Sequence, residues 1–324
     1  DLIQLFYYKF TETPLLKRMD AVKDYFIDSW ETLKGRNISE DDQEMLQMKF
    51  DKMYTTKDIY TIYNWMLDDC GCDLLPEVPY EKRKLPYEDV FPMLYLKYRL
   101  SGGNSTHKNI KHLVIDEMQD YTYLQYTILE SLFHCRMTIL GDRAQTLDTK
   151  QQDVLRFLPK LLGREIRTIE IKKSYRNTLE IARYAEKVSG VSDLELLDRH
   201  GKEVVEKTFN TDTELLDELV CHLKCPGDFE TAALITTTEE EAFDLSRLLK
   251  LRGINVSYVD RNSSAFKKGL TVTTFYLAKG LEFDQVFALR GAKENPLKNQ
   301  AEYICATRAL HELYVYEIAD SLSK

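Results

Sequence analysis

The sequence predicts an α/β protein of two alternating strand–helix units, with parallel sheets flanked by helices and a mainly helical amino-terminal region. Three observations carry that expectation. Apolar β-type runs at 112–115 and 137–140 each end abruptly in acidic and amide side chains, as a buried parallel strand does when it delivers polar groups to a sheet edge. A helical run separates the two, and strand–helix–strand alternation implies a parallel sheet with right-handed crossovers. The same alternation resumes between residues 168 and 318. With 324 residues and 44% apolar content, the chain is long enough for two domains with a core in each.

Taken in order, residues 1–107 read mainly as helix. Val22, Tyr25, Phe26, Trp30 and Leu33 fall at three- and four-residue steps, which predicts a buried helix face, and core packing is the expectation for Phe6, Tyr7, Tyr8, Phe10, Tyr54, Tyr60, Tyr63 and Trp65. Pro76, Pro79 and Pro86 interrupt the segment before a helix over 87–100 with Val90, Phe91, Leu94 and Leu96 inward. A loop at 102–106 leads into residues 108–167, the remainder of a first α/β domain. There Leu113, Val114 and Ile115 form a buried strand with Asp116 and Glu117 at its mouth, and a helix over 121–133 turns Leu124, Ile128, Leu129 and Leu132 to one side. Asp142 and Gln145 sit at the mouth of the second strand, and a helix over 151–163 ends at Gly163. Residues 168–324 form the second domain, with strands at 168–171, 203–209, 231–237, 254–259, 270–275, 285–289 and 313–318.

A net charge of -9 and a pI near 5.4 argue against a surface that grips a polyanion all round, so any DNA contact is confined to a local groove. The six cysteines (70, 72, 135, 221, 225, 305) include a C-x-C and a C-x3-C but no paired C-x2-C arms, which reads as reduced thiols in a cytoplasmic protein. No apolar run approaches the roughly 18 residues that span a bilayer, and there is no signal-peptide layout. The expectation is a cytoplasmic monomer with no membrane partner.

The polar clusters suggest nucleotide chemistry. At Asp116-Glu117, one carboxylate can hold magnesium through water while the next orients an attacking water; alternatively, both are favourable first-turn charges of the next helix. Tyr175-Arg176 lies at a strand-to-helix junction, where a ring can stack on a base and a guanidinium can face phosphate. Residues 279–284 combine a tight glycine turn with carboxylates able to take ribose hydroxyls. Arg308, on a helix before the last strand, can neutralise charge on a transferring phosphoryl group. Each cluster alone has an ordinary surface reading; the ordered set does not.

Asp-Glu-Met-Gln-Asp at 116–120, Gly-Asp-Arg-Ala-Gln at 141–145, Ser-Tyr-Arg-Asn-Thr at 174–178, Lys-Gly-Leu-Glu-Phe at 279–283 and Ala-Thr-Arg-Ala at 306–309 closely resemble the motif set of the UvrD/Rep/PcrA-like superfamily 1 helicases. The likeness spans about residues 85–318. It implies two RecA-like P-loop NTPase domains, the first incomplete here, with ATP and Mg2+ as cofactors and ATP hydrolysis as the activity. By the same likeness, Asp116 holds magnesium, Glu117 is the catalytic base, Gln145 senses the γ-phosphate, and Arg176 and Arg308 are arginine fingers. Tyr175 stacks on adenine, Glu282 contacts ribose, and Gln119 and Gly280 complete the nucleotide contacts.

Three departures from that pattern matter. No G-x-x-x-x-G-K-[ST] occurs, and Gly102-Gly103 and Gly201-Lys202 lack its spacing; the expectation is a carboxyl-terminal portion of a larger protein, inactive alone. The interval from Arg176 to Lys279 leaves no room for a large helical insertion. Residues 146–150, Thr-Leu-Asp-Thr-Lys, stand where aromatic residues stack on single-stranded bases, platforms worth about 1–3 kcal/mol per base. These departures are similar to the HelD-like branch, which implies RNA polymerase as partner. A 3′ to 5′ DNA helicase of repair or replication, with Phe275 and Tyr276 as platforms, and a non-catalytic interaction module that kept the fold are the alternatives.

Overall fold

A computed structural model gives the fold of residues 2–103, 109–147, 154–163, 166–191, 195–224, 229–263, 268–291 and 296–319. Contacts divide the chain into two units. Residues 1–116, 121–139 and 154–164 make the first; residues 117–120, 140–153 and 165–324 make the second.

In the first unit, α1 (Leu2–Gln4) and a π-helical turn precede α2 (Leu15–Lys34), α3 (Glu40–Asp51), α4 (Ile59–Asp69) and α5 (Tyr87–Ser101). α3 starts where the Ser39 hydroxyl accepts from the Asp42 amide, and three acidic residues in its first turn complement the helix dipole. Tyr60, Tyr63, Leu67 and Leu75 form a core against which Met93 and Leu96 pack. Both tyrosines keep a partner for their hydroxyl: Tyr60 donates to the Pro76 carbonyl at 2.8 Å and Tyr63 to Asp89 at 2.7 Å, so neither O–H is orphaned by burial. β1 (His112–Ile115) and β2 (Arg136–Ile139) pair in parallel. Between them in sequence, α6 (Tyr123–Leu132) opens on a reciprocal capping box of Thr122 and Gln125. Ile115 and Tyr126 join Val154 and Leu158 of α7 (Val154–Leu162) in one core.

Two expectations for this unit fail. Val114 is 61% exposed rather than buried. Alternate strand residues point to opposite faces, and among the described residues the buried cluster lies on the Ile115 side. Along α2, Val22 is fully buried but Leu33 is 84% exposed, as are most of Tyr7 and Tyr8. Near the end of α2 the contacts are made by Trp30, with Arg36, and by Glu31, which accepts from the Ile38 amide at 2.8 Å, while Leu33 faces away from them.

The second unit holds a short parallel pair, β3 (Lys173–Ser174) with β4 (Glu195–Leu196), and a six-stranded sheet. The sheet contains β5 (Val205–Phe209), β6 (Thr231–Thr236), β7 (Ser257–Tyr258), β8 (Gly269–Thr274), β9 (Phe283–Arg290) and β10 (Ala309–Ile318), in the order β5-β10-β9-β6-β8-β7. Every pairing in it is parallel. Successive strand residues serve opposite layers, as the pleat requires. Ala233, Ile235, Val286, Ala288, Leu313 and Val315 pack with α8 (Leu179–Ser189) and α11 (Lys298–Arg308), through Ile181, Tyr184 and Ile304. Leu234, Phe287, Tyr314 and Tyr316 pack on the other face with α9 (Asp212–Lys224) and α10 (Glu239–Leu251), through Leu219, Leu245 and Leu249. A parallel sheet covered on both faces is the fold class expected, and it is consistent with a RecA-like domain.

Arg290, at the carboxyl end of β9, pairs with Glu302 at 2.8 Å, Glu317 at 3.0 Å and Glu206 at 3.2 Å. The expected strand at 168–171 is not formed. Ile169 and Ile171 are 70% and 81% exposed, and pairing begins only at Lys173, where β4 supplies a partner; a β-type pattern without a neighbour makes no ladder. Cys70, Cys72, Cys221 and Cys305 are free thiols; Cys225, like residues 104–106 and 148–153 of the expected loops and helix, lies outside the described residues. Among the described residues, no helix is long and apolar enough to cross a membrane.

Candidate functional site

Strand register sets the site. Phe283, which opens β9, pairs with Ala309, which opens β10, so Glu282 and Arg308 precede neighbouring residues at the amino-terminal end of the sheet. Arg308 ends α11 and is 2% exposed. Its Nη1 donates to the Leu281 carbonyl at 3.4 Å, and its Nη2 donates to Gln145 Oε1 at 3.3 Å and to the Thr307 hydroxyl at 3.1 Å. Its Nε is buried with no acceptor among the described residues. Burial, then the charge of Arg176, lowers the pKa of this guanidinium from a value so high that it stays a cation.

The Tyr175–Arg176 loop is tied to the same place by Asn177, whose amide donates to the carbonyls of Ala306 at 3.2 Å and Ala309 at 2.7 Å. Arg176 Nε then meets Glu282 Oε1 at 2.7 Å. Tyr175 is exposed, with the Lys173 ammonium 5.4 Å from its ring centroid.

Residues 117–120 and 140–147 pack into this cluster. The Met118 amide donates to the Leu140 carbonyl at 2.8 Å. Gln119 spans the two segments, donating to Glu117 Oε2 at 2.5 Å and accepting from the Asp142 amide at 3.1 Å. A Cβ on Gly141 would lie 2.5 Å from Gln119 Oε1 and from Met118 Cγ, so this approach needs glycine. Glu117 has φ of 52°, a left-handed conformation costing about 1–2 kcal/mol in a non-glycine residue. Strain of this kind collects at functional sites. Asp142 accepts from the Ala144 amide at 3.0 Å, from Gln145 Nε2 at 2.9 Å and from the Tyr303 hydroxyl at 2.8 Å. Burial, then the Asp142 charge, raises the Tyr303 phenol above its ordinary value and keeps it a donor.

Lys279 is the cation beneath the acidic segment. Its side chain is 9% exposed; Nζ donates to the two Asp120 oxygens at 2.8 and 2.7 Å and to the Gln145 carbonyl at 3.2 Å, and lies 3.7 Å from Glu117 Oε2. Gly280, at φ of 77°, makes the tight turn expected of it. Asp284 Oδ2 accepts from the Glu230 and Thr231 amides at 3.1 and 2.9 Å and from the Thr231 hydroxyl at 2.8 Å, which ties this carboxylate to the start of β6. Phe275, expected as a platform in one alternative, is 6% exposed within the core, and the Tyr276 hydroxyl donates to Glu239 at 2.9 Å. A buried ring cannot stack on a base.

Glu117, Gln119, Gln145, Arg176, Gly280, Glu282 and Arg308 therefore converge in the second unit, with Tyr175 on the same loop as Arg176. Asp116 belongs to the first unit, exposed at the end of β1. Among the described residues, no group of three or more His, Cys, Asp or Glu is placed to hold a metal ion. Sequence reasoning passed over Lys279, Asp120, Asn177 and Tyr303 as individual contacts. The first three lie inside motifs already noted, whereas Tyr303 reads simply as an apolar helix residue. The cluster sets one buried guanidinium, with a donor unfilled among the described residues, beside Lys279 and Arg176, each of which is paired with a carboxylate.

The sequence matches no family model and no curated protein. Two solved structures are similar to it. One is the carboxyl-terminal domain of a possible DNA helicase from Lactobacillus plantarum WCFS1, 26% identical, covering 45% of this chain and 88% of that chain at a TM-score of 0.38. The other is the PRRSV helicase, 16% identical, covering 81% of this chain and 46% of that chain at a TM-score of 0.39.

Proposed function

We propose that this chain is the carboxyl-terminal motor portion of an ATP-dependent superfamily 1 helicase-type ATPase of the HelD-like kind, a cytoplasmic monomer that couples ATP hydrolysis to action on RNA polymerase. The observation that carries the reading is Arg308, a residue 2% exposed whose Nε has no acceptor among the described residues. A phosphate oxygen would supply one. Its support is the convergence of sequence-distant motif residues around it, from Glu117 to Glu282.

ATP and Mg2+ would supply the phosphoryl group and the counter-charge it needs. Asp116 would hold the magnesium. Glu117, which accepts from Gln119 and lies 3.7 Å from the Lys279 ammonium, would take a proton from water. Gln145 is held between Asp142 and Arg308, so its orientation follows any movement of either. The exposed Tyr175 ring would receive adenine, and Glu282 at the Gly280 turn would receive ribose. Arg176, now paired with Glu282, would turn to phosphate.

The sequence contains no phosphate-binding loop. These 324 residues alone should therefore bind ATP weakly, with Kd of about 1 mM or higher by titration. Submicromolar binding would contradict the account. A net charge of -9 and the non-aromatic Thr146-Leu147 after Gln145 favour a protein partner over a tightly gripped strand; DNA contact would be limited to a local groove. The deciding experiment offers a polypeptide carrying this chain and a phosphate-binding loop a 3′-tailed duplex and, separately, RNA polymerase in stalled transcription complexes. ATP-dependent release of polymerase without strand separation is expected. Vigorous unwinding with no polymerase binding would restore the 3′ to 5′ DNA helicase.

A further inference from the structure

None of the residues lining the cavity in the first unit belongs to the cluster around Arg308. This cavity of 380 Å³ opens between the 11–14 loop, α5 and α6, and its walls include Arg18, Arg99, Tyr95, Tyr98, Thr13 and Ser131. That volume lies in the range of small-molecule sites. Arg18 is fixed before any ligand arrives. Its Nε donates to the Thr13 carbonyl at 3.1 Å, its Nη2 to the Thr11 carbonyl at 2.8 Å, and its guanidinium lies 5.2 Å from the Phe6 ring centroid. Much of the entropy of ordering a long cation is thus already spent. Arg99 lies 6.0 Å from the Tyr95 ring centroid. Gly102 lets the loop close: with φ of 76°, its missing Cβ would sit 2.6 Å from Pro14 Cγ.

The charge of this lining runs against that of the chain. Two arginines against Glu12 leave it net positive on a protein of net charge -9. A local positive field in a concave site selects an anion. The tyrosine rings offer faces to a planar group, the Thr13 hydroxyl offers a hydrogen bond to sugar or phosphate, and the Ser131 hydroxyl, which donates to the Thr127 carbonyl at 2.8 Å, can accept one from a sugar hydroxyl. We propose that this cavity binds a nucleoside monophosphate unit, either free or within a single strand. The phosphate meets Arg18 and Arg99, and the base lies against Tyr95. Inorganic phosphate would use the arginines and leave the rings idle. The site is independent of the nucleotide reading of the second unit.

The test titrates the chain with AMP, with inorganic phosphate and with a fluorescein-labelled short oligothymidylate. AMP should bind roughly tenfold more tightly than phosphate, because a stacked base adds to the charge contact. Arg99→Ala and Tyr95→Leu should each weaken AMP roughly tenfold, and Ser131→Trp, which fills the cavity, should abolish binding with an unchanged thermal midpoint. Arg99 is the residue to vary because Arg18 also holds the loop. An oligonucleotide that binds more than roughly tenfold tighter than AMP identifies a strand as the source; equal affinities identify the free nucleotide. No binding of either probe at about 5 mM, equal binding of AMP and phosphate, or indifference to Arg99→Ala and Ser131→Trp would overturn the proposal.

Discussion

Lys279 donates to both carboxylate oxygens of Asp120, at 2.8 and 2.7 Å, across 159 positions of sequence. The same ammonium lies 3.7 Å from Glu117, so one cation serves two acidic side chains of the 117–120 segment. Lys279→Met should destabilise the second unit by about 1–3 kcal/mol, the cost of leaving charged partners unsatisfied. The lower half of that range is expected because the Asp120 and Glu117 side chains are 37% and 38% exposed. A fall in the urea midpoint with an unchanged slope checks this; no fall would mean that solvent satisfies both carboxylates.

Arg308 makes the opposite prediction. Its burial is unfavourable for a charge, and its Nε is unsatisfied. Arg308→Met should therefore leave stability unchanged or raise it by about 1–2 kcal/mol, as replacement of buried ionic groups by apolar ones often does. Thermal unfolding of the variant measures it. A marked loss of stability would show that Arg308 is held for packing, not for function.

Gly141→Ala tests the approach of the two acidic segments. The added Cβ would lie 2.7 Å from the Met118 backbone nitrogen, which cannot move aside as a side-chain end can. A loss of about 1–3 kcal/mol is expected, with faster amide exchange at Met118, whose N–H donates to Leu140. Native exchange at that amide would contradict the geometry.

Glu180 gives a pH signature. It accepts from His200 Nδ1 and from the Gly201 amide, each at 2.8 Å, and these hold its carboxyl at about 2, down from 4.5. The same contact raises His200 above its ordinary 6.5. The depressed carboxyl stabilises the fold above pH 4.5 and loses that contribution as pH falls toward 2. The raised imidazole stabilises it below 6.5 and loses that contribution as pH climbs through the raised value. Stability from the pair is greatest between those limits. Urea midpoints at about pH 5.5 and 8.5 should differ less in His200→Gln than in the parent, and an equal difference would remove the pair from the account.

Much of the second unit was legible because its strands are buried on both faces and its helices carry local stop and start signals. The acidic first turn at Glu239, Glu240 and Glu241 and Gly253 past the end of α10 are such signals. The 168–171 run misled, since Ile169 and Ile171 have β character but no neighbour to pair with. Val114 misled for a related reason: a strand pattern does not state how many layers cover it. Motif residues near Arg308 could be named, yet their partners could not. Lys279 meeting Asp120 and Tyr303 meeting Asp142 are contacts between segments distant in sequence, and only the fold of the second unit brings them together.

The central claim is that Glu117 and Arg308 act on a nucleotide, and hydrolysis tests it most directly. In a polypeptide that joins this chain to a phosphate-binding loop, ATP turnover should fall on the order of 100-fold in Glu117→Gln with nucleotide binding retained. In Arg308→Ala the fall should be about 10³-fold, the scale of a lost arginine finger. Near-normal turnover in either variant would contradict the account.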